Sequence, residues 1–371
     1  MSVVLIIVIV VHGLIHLLGF VKGFHLADVD RLTLPVSRIS GVFWLLAALL
    51  FLSASVLLML DIRSWWVAAV PALLLSQYLI VRSWSDAKFG TVANLLILVP
   101  LVVAVAGALP SGFAHRFRTE AEQRLSRSQD TSVVTMGDLE RLPLPVRKYL
   151  VYVGAVGKPR VHNVRALFRG SMKMSVDAGW LDISSMQYNW FDDRTRLFYI
   201  TSSIFGVPFD GLHMYVGNNA TMQIRVASMF QVADAKGEKM TRGETVTLFN
   251  DMCFIAPPSL IDTSIQWKSL DSLSAEARFT NRGNTITALL SFNEKGELTN
   301  FISGDRYLSS DGKTYESYPW STPVSDYREF DGRKVAWYGE AAWLMPKGEF
   351  TYARFHLQEI EYNCRDFKDV R

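Results

Sequence analysis

Cysteine is scarce in this sequence, and the two cysteines that occur lie far apart. The 371 residues contain only Cys253 and Cys364, which are too few for a disulfide framework and lack metal-ligand spacing. One disulfide and two unpaired thiols both fit the sequence, because the choice depends on the redox compartment. The scarcity excludes a small disulfide-stabilised fold.

Charge is also scarce, but only at the start of the chain. The first 112 residues hold six Lys or Arg and four Asp, which leaves 32 basic and 31 acidic residues for the rest. The distal part is therefore about neutral, and it is long enough to bury a full core. Because a nucleic-acid-binding domain needs a net basic face, we expect no nucleic-acid partner.

Recognisable catalytic motifs are missing. The sequence has no Gly-x-Ser-x-Gly, His-Glu-x-x-His or Cys-x-x-Cys motif and no phosphate-binding glycine loop. His162, His213 and His356 fall in the distal part, and none neighbours a serine or cysteine in a recognisable way. An enzyme stays open as an alternative, since catalytic groups can assemble from distant positions.

Four long apolar runs are present within the first 112 residues. They cover residues 3–20, 41–60, 64–81 and 91–109, and none contains Lys, Arg, Asp or Glu. Each has roughly the 20 residues that a helix needs to cross a hydrocarbon layer about 30 Å thick. We predict four transmembrane helices over residues 1–112, with the lipid bilayer as a partner. The first run lacks the features of a cleaved signal peptide, so we expect it to be retained.

Two histidines interrupt the first apolar run. His12 and His16 are four residues apart and therefore share one helix face. They are weak candidates for a metal or haem site, because the other runs offer few further ligands. The alternative is that they form hydrogen bonds to neighbouring helices. We predict no cofactor.

The distal part changes from helical to strand-like patterning. We predict a helical linker over residues 113–158, with a solvated helix at 114–128 and another helix at 146–153. Residues 159–371 alternate with a period of two and contain glycine turns typical of hairpins. We predict strands at 164–175, 180–190, 196–203, 211–216, 220–227, 264–267, 275–281, 285–292, 298–308, 320–330, 333–337 and 349–363.

One helix interrupts these strands. Within residues 239–254, Val246, Phe249, Met252 and Cys253 recur at helical spacing, and two prolines follow. A helix inside an antiparallel chain must lie on a face of the sheet. The predicted fold class is thus a membrane α-helical bundle plus an α+β soluble domain. The latter has a large curved antiparallel sheet with a helix packed on one face.

Several short motifs carry a resemblance to a known family. Residues 135–371 resemble an uncharacterised family of bacterial membrane proteins in the segments Phe249-Asn-Asp-Met-Cys, Ala256-Pro-Pro-Ser-Leu-Ile-Asp, Ile265-Gln-Trp, Asp305-Arg-Tyr and Trp320-Ser-Thr-Pro. That resemblance implies no known activity. The order of elements also resembles, more loosely, the half-barrel of lipoprotein-localisation factors, which hold acyl chains. This second resemblance implies a lipid ligand and a β domain outside the cytoplasm of a bacterial cell.

Aromatic and polar residues of the β domain supply the candidate site. Tryptophans and methionines are abundant and could line an apolar groove between sheet and helix. Asp251 or Asp262 could pair with Arg306, either as a structural salt bridge or at the mouth of a cavity. The predicted ligand-binding residues are Phe249, Asn250, Asp251, Met252, Trp267, Asp305, Arg306 and Trp320.

Three functions remain open at this point. The first is a membrane-tethered domain that binds a lipid or another apolar ligand. The second is an enzyme for a membrane-soluble substrate, with Asp251, Asp305 or His213 as acid or base. The third is a structural or sensory domain that binds another protein. The absence of catalytic motifs favours the first, and we assign no catalytic residue.

Overall fold

The computed structural model describes residues 3–125, 132–204, 207–309 and 313–369. The chain divides into two compact units, Met1–Gly112 and Phe113–Arg371. Residues 126–131, which belong to the predicted linker, lie outside the described residues.

The regular secondary structure of the first unit is all helical in its described part. Its helices are α1 Val3–Gly23, α2 Arg38–Met59, α3 Trp66–Arg82, the short α4 Trp84–Ala87 and α5 Gly90–Ala108. Three helices are long and apolar enough to cross a membrane, namely α1, α2 and the one that begins at Gly90. Helix α3 has 17 residues and therefore rises only about 26 Å. Three of the four predicted spans therefore have the length and composition for crossing a membrane, and the fourth, α3, is shorter.

Glycines allow α1 and α2 to pack closely. A Cβ atom added to Gly19 would overlap the Trp44 ring, and one added to Gly23 would lie 2.9 Å from the Gly41 Cα atom. Small residues at helix contacts are typical of membrane bundles, because they let the backbones approach.

The second unit contains three helices and sixteen strands within its described residues. The helices are α6 Phe113–Leu125, α7 Leu144–Tyr152 and α8 Glu238–Phe254. The strands are β1 Asn163–Met172, β2 Leu181–Trp190, β3 Thr195–Ile204, β4 Val207–Val216, β5 Asn219–Val226, β6 Phe230–Lys236, β7 Ile265–Ser269, β8 Ser274–Asn281, β9 Asn284–Phe292, β10 Leu298–Ser303, β11 Tyr307–Leu308, β12 Glu316–Ser317, β13 Trp320–Ser321, β14 Val324–Phe330, β15 Arg333–Met345 and β16 Gly348–Tyr362.

Most of these strands agree with the predicted ones, and the differences have local causes. The predicted strand 320–330 is divided in two by Pro323, which has no N–H for the ladder. The predicted strand 298–308 is divided at Gly304 and Asp305. Strand β6 was not predicted, because its alanine, aspartate and lysine have low strand propensity.

Fourteen of the strands form one antiparallel sheet that curls into a half-barrel. Their order is β6-β5-β4-β3-β2-β1-β16-β15-β13-β10-β9-β8-β7, with β14 paired to β15. Helix α8 contacts β5 and β6 near one edge and also β9 and β10 near the other. Two distant parts of the sheet can reach one helix only because the sheet curves around it. Helix α8 therefore lies on the concave face.

Helix α6 packs against the other face of the sheet. Phe113, Phe117, Ala121 and Leu125 recur at helical spacing and are buried with Leu197 and other residues of β2–β4. The prediction of a solvated helix is therefore wrong for this face. The ion pair of Arg118 with Glu122 lies on the exposed side, whereas that of Arg124 with Glu120 is partly buried.

Neither cysteine forms a disulfide, and both are buried. Cys253 lies in the core with α8, and Cys364 lies in the cluster beneath α6. Burial raises the pKa of the Cys364 thiol to about 12. The single-disulfide alternative therefore does not hold, and both thiols act as small apolar side chains.

Candidate ligand-binding site

A cavity of about 360 Å³ lies between α8 and the concave face of the sheet. One wall comes from β1–β6 and the opposite wall from β13–β16. The walls are mostly apolar, and their large side chains include Phe168, Phe198, Ile200, Phe209, Trp320, Trp337, Trp343 and Phe355. Ligand pockets commonly have this size and this apolar character.

Helix α8 supplies the third wall through one of its faces. The residues that line the cavity recur every three or four positions, so they form one stripe: Met240, Gly243, Glu244, Thr247, Asn250, Asp251 and Phe254. The opposite face carries Val246, Phe249 and Met252, which pack into the main core. The helix thus separates a packed core from an open space.

A buried ionic network joins this stripe to strand β3. Arg196 Nε donates to Asp251 Oδ2 at 2.6 Å, and Arg196 Nη1 donates to Glu244 Oε2 at 3.1 Å. Asn189 Nδ2 donates to the same Asp251 oxygen at 2.9 Å. The Glu244 side chain is only 1% exposed. Because buried charges are costly unless paired, the network fixes α8 against the sheet.

The network keeps its charges despite its burial. Burial alone would raise the pKa of the Glu244 carboxyl, but the charge of Arg196 and a hydrogen bond from His213 outweigh it and lower this pKa to about 2. Burial likewise opposes the Arg196 charge, but Asp251 and Glu244 raise the pKa of the guanidinium. Glu244 is therefore ionised at neutral pH and accepts hydrogen bonds from both partners.

His213 lines the cavity beside Glu244. Its Nδ1 atom lies 3.3 Å from Glu244 Oε1, and its ring lies edge-on to Phe198. An ionised Glu244 can only accept in this contact, so the Nδ1–H group of His213 donates the hydrogen bond. Among the described residues, no serine, threonine or cysteine forms a hydrogen bond with His213. The pair therefore does not form a nucleophilic triad.

Arg306 lies on an aromatic part of the wall. Its guanidinium carbon is 4.2 Å from the centre of the Trp320 ring, and its Nη1 atom donates to Tyr352 Oη at 3.2 Å. Trp320 Nε1 donates to the same hydroxyl oxygen at 3.2 Å. Stacking and hydrogen bonding together hold the guanidinium in one orientation.

The cavity reaches the surface at one end of the half-barrel. Paired residues form a single row across five strands: Gly170, Ile183, Ser202, Phe209 and Val226. The β1–β2 and β5–β6 connections lie beyond this row, at the same end. Met174 lines the cavity there and is 53% exposed. Other apolar side chains exposed at this end are Val176, Phe230 and Val232.

Residues 132–355 match the profile of DUF6544, described as a family of unknown function. The chain belongs to this family. The match covers α7, α8 and most of the sheet, so the DUF6544 region includes the cavity. No curated protein matches the sequence.

Three solved structures resemble this DUF6544 protein at low identity. A domain named for outer membrane lipoprotein sorting from Vibrio parahaemolyticus has 7% identity and a TM-score of 0.31, covering 54% of this chain and 85% of its own. A DUF1329 family protein from Desulfovibrio piger has 10% identity and a TM-score of 0.34, covering 62% and 94%. A LolA superfamily protein from Nitrosomonas europaea has 7% identity and a TM-score of 0.32, covering 61% and 94%. At these identities and TM-scores, the three structures do not identify a ligand for this chain.

Four of the eight predicted ligand-binding residues line the cavity: Asn250, Asp251, Arg306 and Trp320. Asn250 donates through Nδ2 to Thr322 Oγ1 at 2.6 Å, which links α8 to the opposite wall. Phe249 and Met252 lie in the packed core, where Phe249 stacks on Phe279 at 5.1 Å.

The other two predicted residues lie away from the cavity. Trp267 packs at 6.4 Å from Phe249 on the core side of α8. Asp305 forms an ion pair with Arg242 and accepts a hydrogen bond from the Thr287 backbone N–H at 2.7 Å. Asp305 is therefore a structural ion-pair partner.

The suggested pairing of Arg306 with Asp251 or Asp262 is wrong. Asp251 pairs with Arg196, and Asp262 pairs with Arg194 at 2.5 Å. Both aspartates meet an arginine at the start of β3, because the β2–β3 hairpin lies beside the C-terminal part of α8. Arg306 instead contacts aromatic rings.

Sequence reasoning missed Arg196 and Glu244 as site residues. Glu244 and Asp251 are seven residues apart, so one helix face carries both carboxylates. This spacing was a signal for a polar stripe opposite the apolar one. No local pattern identifies Arg196 as the partner, because it comes from a strand far away in sequence.

His12 and His16 belong to a polar cluster inside the first unit. His12 Nε2 lies 2.9 Å from Asn94 Oδ1 and 3.1 Å from Ser76 Oγ, so it connects α1 with α3 and α5. The Nδ1 atom of His16 lies 2.8 Å from the His12 carbonyl oxygen. In the described parts of the chain, no group of three or more His, Cys, Asp or Glu could hold a metal ion. His12 thus makes the interhelical hydrogen bonds of the simpler alternative. His16 instead bonds within α1, and its ring packs at 5.1 Å from the Trp44 ring of α2.

Proposed function

We propose that the second unit binds a lipid or another apolar molecule in the cavity between α8 and the sheet. The observation that carries the proposal is the cavity itself, about 360 Å³ with mostly apolar walls. Protein interiors are otherwise closely packed, with few voids larger than a water molecule. A space of this size, lined by aromatic residues and opening at one end, suits an apolar ligand.

The exposed apolar residues at the open end support a route for such a ligand. Phe230 is 67% exposed and Met174 is 53% exposed. A ligand that passes between these side chains stays in contact with apolar surface until it meets Phe198 and Ile200 inside. The desolvation that drives binding would thus begin at the rim.

The tether is a separate part of the proposal. The three long apolar helices would hold the protein in a membrane, and α3 would cross as a fourth, shorter span by tilting less or thinning the bilayer. The second unit would then work beside the bilayer, on its extracytoplasmic side. This placement would give an apolar ligand a short path between lipid and cavity.

Photo-crosslinking of the full chain tests the binding proposal. The protein is placed in phosphatidylcholine nanodiscs, exposed to a diazirine-bearing lauryl alcohol, irradiated and digested. We expect labelled peptides from α8 and from β3 or β4, in addition to the lipid-exposed helices. Label confined to residues 3–108 would refute the proposal.

A cavity-filling variant gives the matched control. Thr247 lies in the middle of the α8 stripe, so Thr247→Trp places a large ring in the cavity and should remove the label from β3 and β4. Gln266→Trp adds the same ring at an exposed position of β7 and should leave it. Equal labelling of both variants would also contradict the proposal.

A further inference from the structure

We infer that the ligand is an anionic amphiphile whose oxyanion head group, a carboxylate or a phosphate, binds to Arg306. This inference rests on the proposed binding of an apolar molecule and adds the chemistry of the ligand's polar end. It follows from the charges on the cavity wall, from the geometry of Arg306 and from the position of a neighbouring lysine.

Each carboxylate of the wall already has an arginine partner. The wall carries three carboxylates within the described residues: Glu244, Asp251 and Glu340. Glu244 and Asp251 share Arg196, while Glu340 pairs with Arg354 at 3.2 Å. A cationic ligand would have to break one of these pairs and leave a guanidinium without its partner. At each of these carboxylates a cation would therefore compete with an arginine that is already in place.

Most of the lysines and arginines of the wall form no ion pair with a described carboxylate. The wall carries four Lys or Arg side chains within the described residues: Lys173, Arg196, Lys239 and Arg306. The charge of Arg306 helps to lower the pKa of Glu244, but the two side chains form no ion pair. Of these four side chains, Arg196 alone has a carboxylate of a described residue within 4.0 Å. The other three contact aromatic rings instead. Charge complementarity thus favours an anion.

Arg306 is the best placed of these three cations. Its side-chain stem packs against α8, where a Cβ atom added to Gly243 would lie 3.6 Å from the Arg306 Cγ atom. Its Nη1 atom is used by Tyr352, and Nε and Nη2 form no hydrogen bond with any described residue. Two donors on one planar group match the two oxygens of a carboxylate or phosphate.

The surroundings of Arg306 strengthen this preference. Trp320 and Trp343 lie at 4.2 and 5.9 Å from its guanidinium carbon, and Arg306 is half-buried. A charge-assisted hydrogen bond is stronger where water is excluded. Lys239 lies 5.7 Å from the ring of the adjacent Tyr307, so a second cation is near. The acyl chain would then extend over the apolar walls.

The test compares four head groups on one chain. Lauric acid, lauryl phosphate, lauryl alcohol and lauryltrimethylammonium compete with the diazirine-bearing lauryl alcohol for the β3 and β4 peptides of the full chain in nanodiscs. We expect the two anions to compete roughly tenfold to a hundredfold better than the alcohol, as charged hydrogen bonds allow. The cation should compete no better than the alcohol.

Variants assign this preference to one residue. Arg306→Gln should reduce competition by both anions to the level of the alcohol and leave the alcohol unchanged. Arg306→Lys should keep part of the preference, and Arg278→Gln, at an exposed position of β8, should keep all of it. The ratio of wild type to variant cancels the partition of each compound into the lipid.

The outcomes separate the two proposals. If no compound protects the β3 and β4 peptides and these peptides are not labelled, the binding proposal itself fails. If all four compete equally, or the cation competes best, apolar binding stands and the anionic head group is refuted. A stronger effect of the carboxylate indicates a fatty acid, and a stronger effect of the phosphate indicates an acidic phospholipid. Should Arg306→Gln not fold, the wild-type ranking and Arg306→Lys still decide.

Discussion

The guanidinium of Arg196 and the carboxylate of Glu244 lie 3.1 Å apart, with both side chains almost completely buried. Arg196 comes from β3 and Glu244 from α8. The pair therefore joins the curved sheet to the helix on its concave face. The pair also lines the cavity, and it is therefore both a structural contact and a part of the binding site.

Arg196→Met should destabilise the second unit by about 3–5 kcal/mol, because it leaves two carboxylates buried without their partner. Urea unfolding of the full chain, followed by the fluorescence of the sheet tryptophans, measures this. Arg118→Met removes an exposed pair with Glu122 and should cost less than about 1 kcal/mol. Equal costs for the two variants would show that the network does not hold α8.

Acid should weaken the second unit through Glu244. The folded-state pKa of this carboxyl is lowered from 4.5 to about 2, so its contribution is complete above pH 4.5 and is lost as the pH falls towards 2. Other carboxylates add to the acid response. The measurement is therefore the slope of unfolding free energy against pH, which should be shallower in Glu244→Gln than in wild type.

Helix α6 should contribute strongly to stability. Phe117 is buried against Tyr188, Tyr199 and Phe367 at 5.8–6.2 Å, and Phe117→Ala should cost about 3–5 kcal/mol. His115→Ala, on the exposed side of the same helix, is the control and should change stability by less than about 0.5 kcal/mol. Similar urea midpoints for both variants would show that the packing of α6 on the sheet does not contribute to stability.

Four spans predict a definite pattern of accessibility. Leu60→Cys and Arg278→Cys should react with a membrane-impermeant maleimide from one side, and Asp30→Cys and Ser85→Cys from the other. All four positions are exposed, and both native cysteines are buried. Reaction of Ser85→Cys together with Leu60→Cys would show that α3 does not cross.

The sequence predicted those features that are local. The helix at 239–254 was found from Val246, Phe249 and Met252, whose spacing is set by the helix period alone. Strand β6 was missed because its alanine, aspartate and lysine have low strand propensity, and it is held by pairing with β5. Likewise, Arg306 and Trp320 were found as polar and aromatic candidates, but Arg196 was not. Its role depends on the sheet curling until β3 faces α8.

The side chains of β3 alternate between the two faces of the sheet. Leu197 and Tyr199 point towards α6, whereas Arg196 and Phe198 point into the cavity. One backbone thickness therefore separates the cavity from the helix that follows residue 112. A ligand that shifts the β3 backbone at Phe198 would also shift Leu197, and with it the contact between β3 and α6.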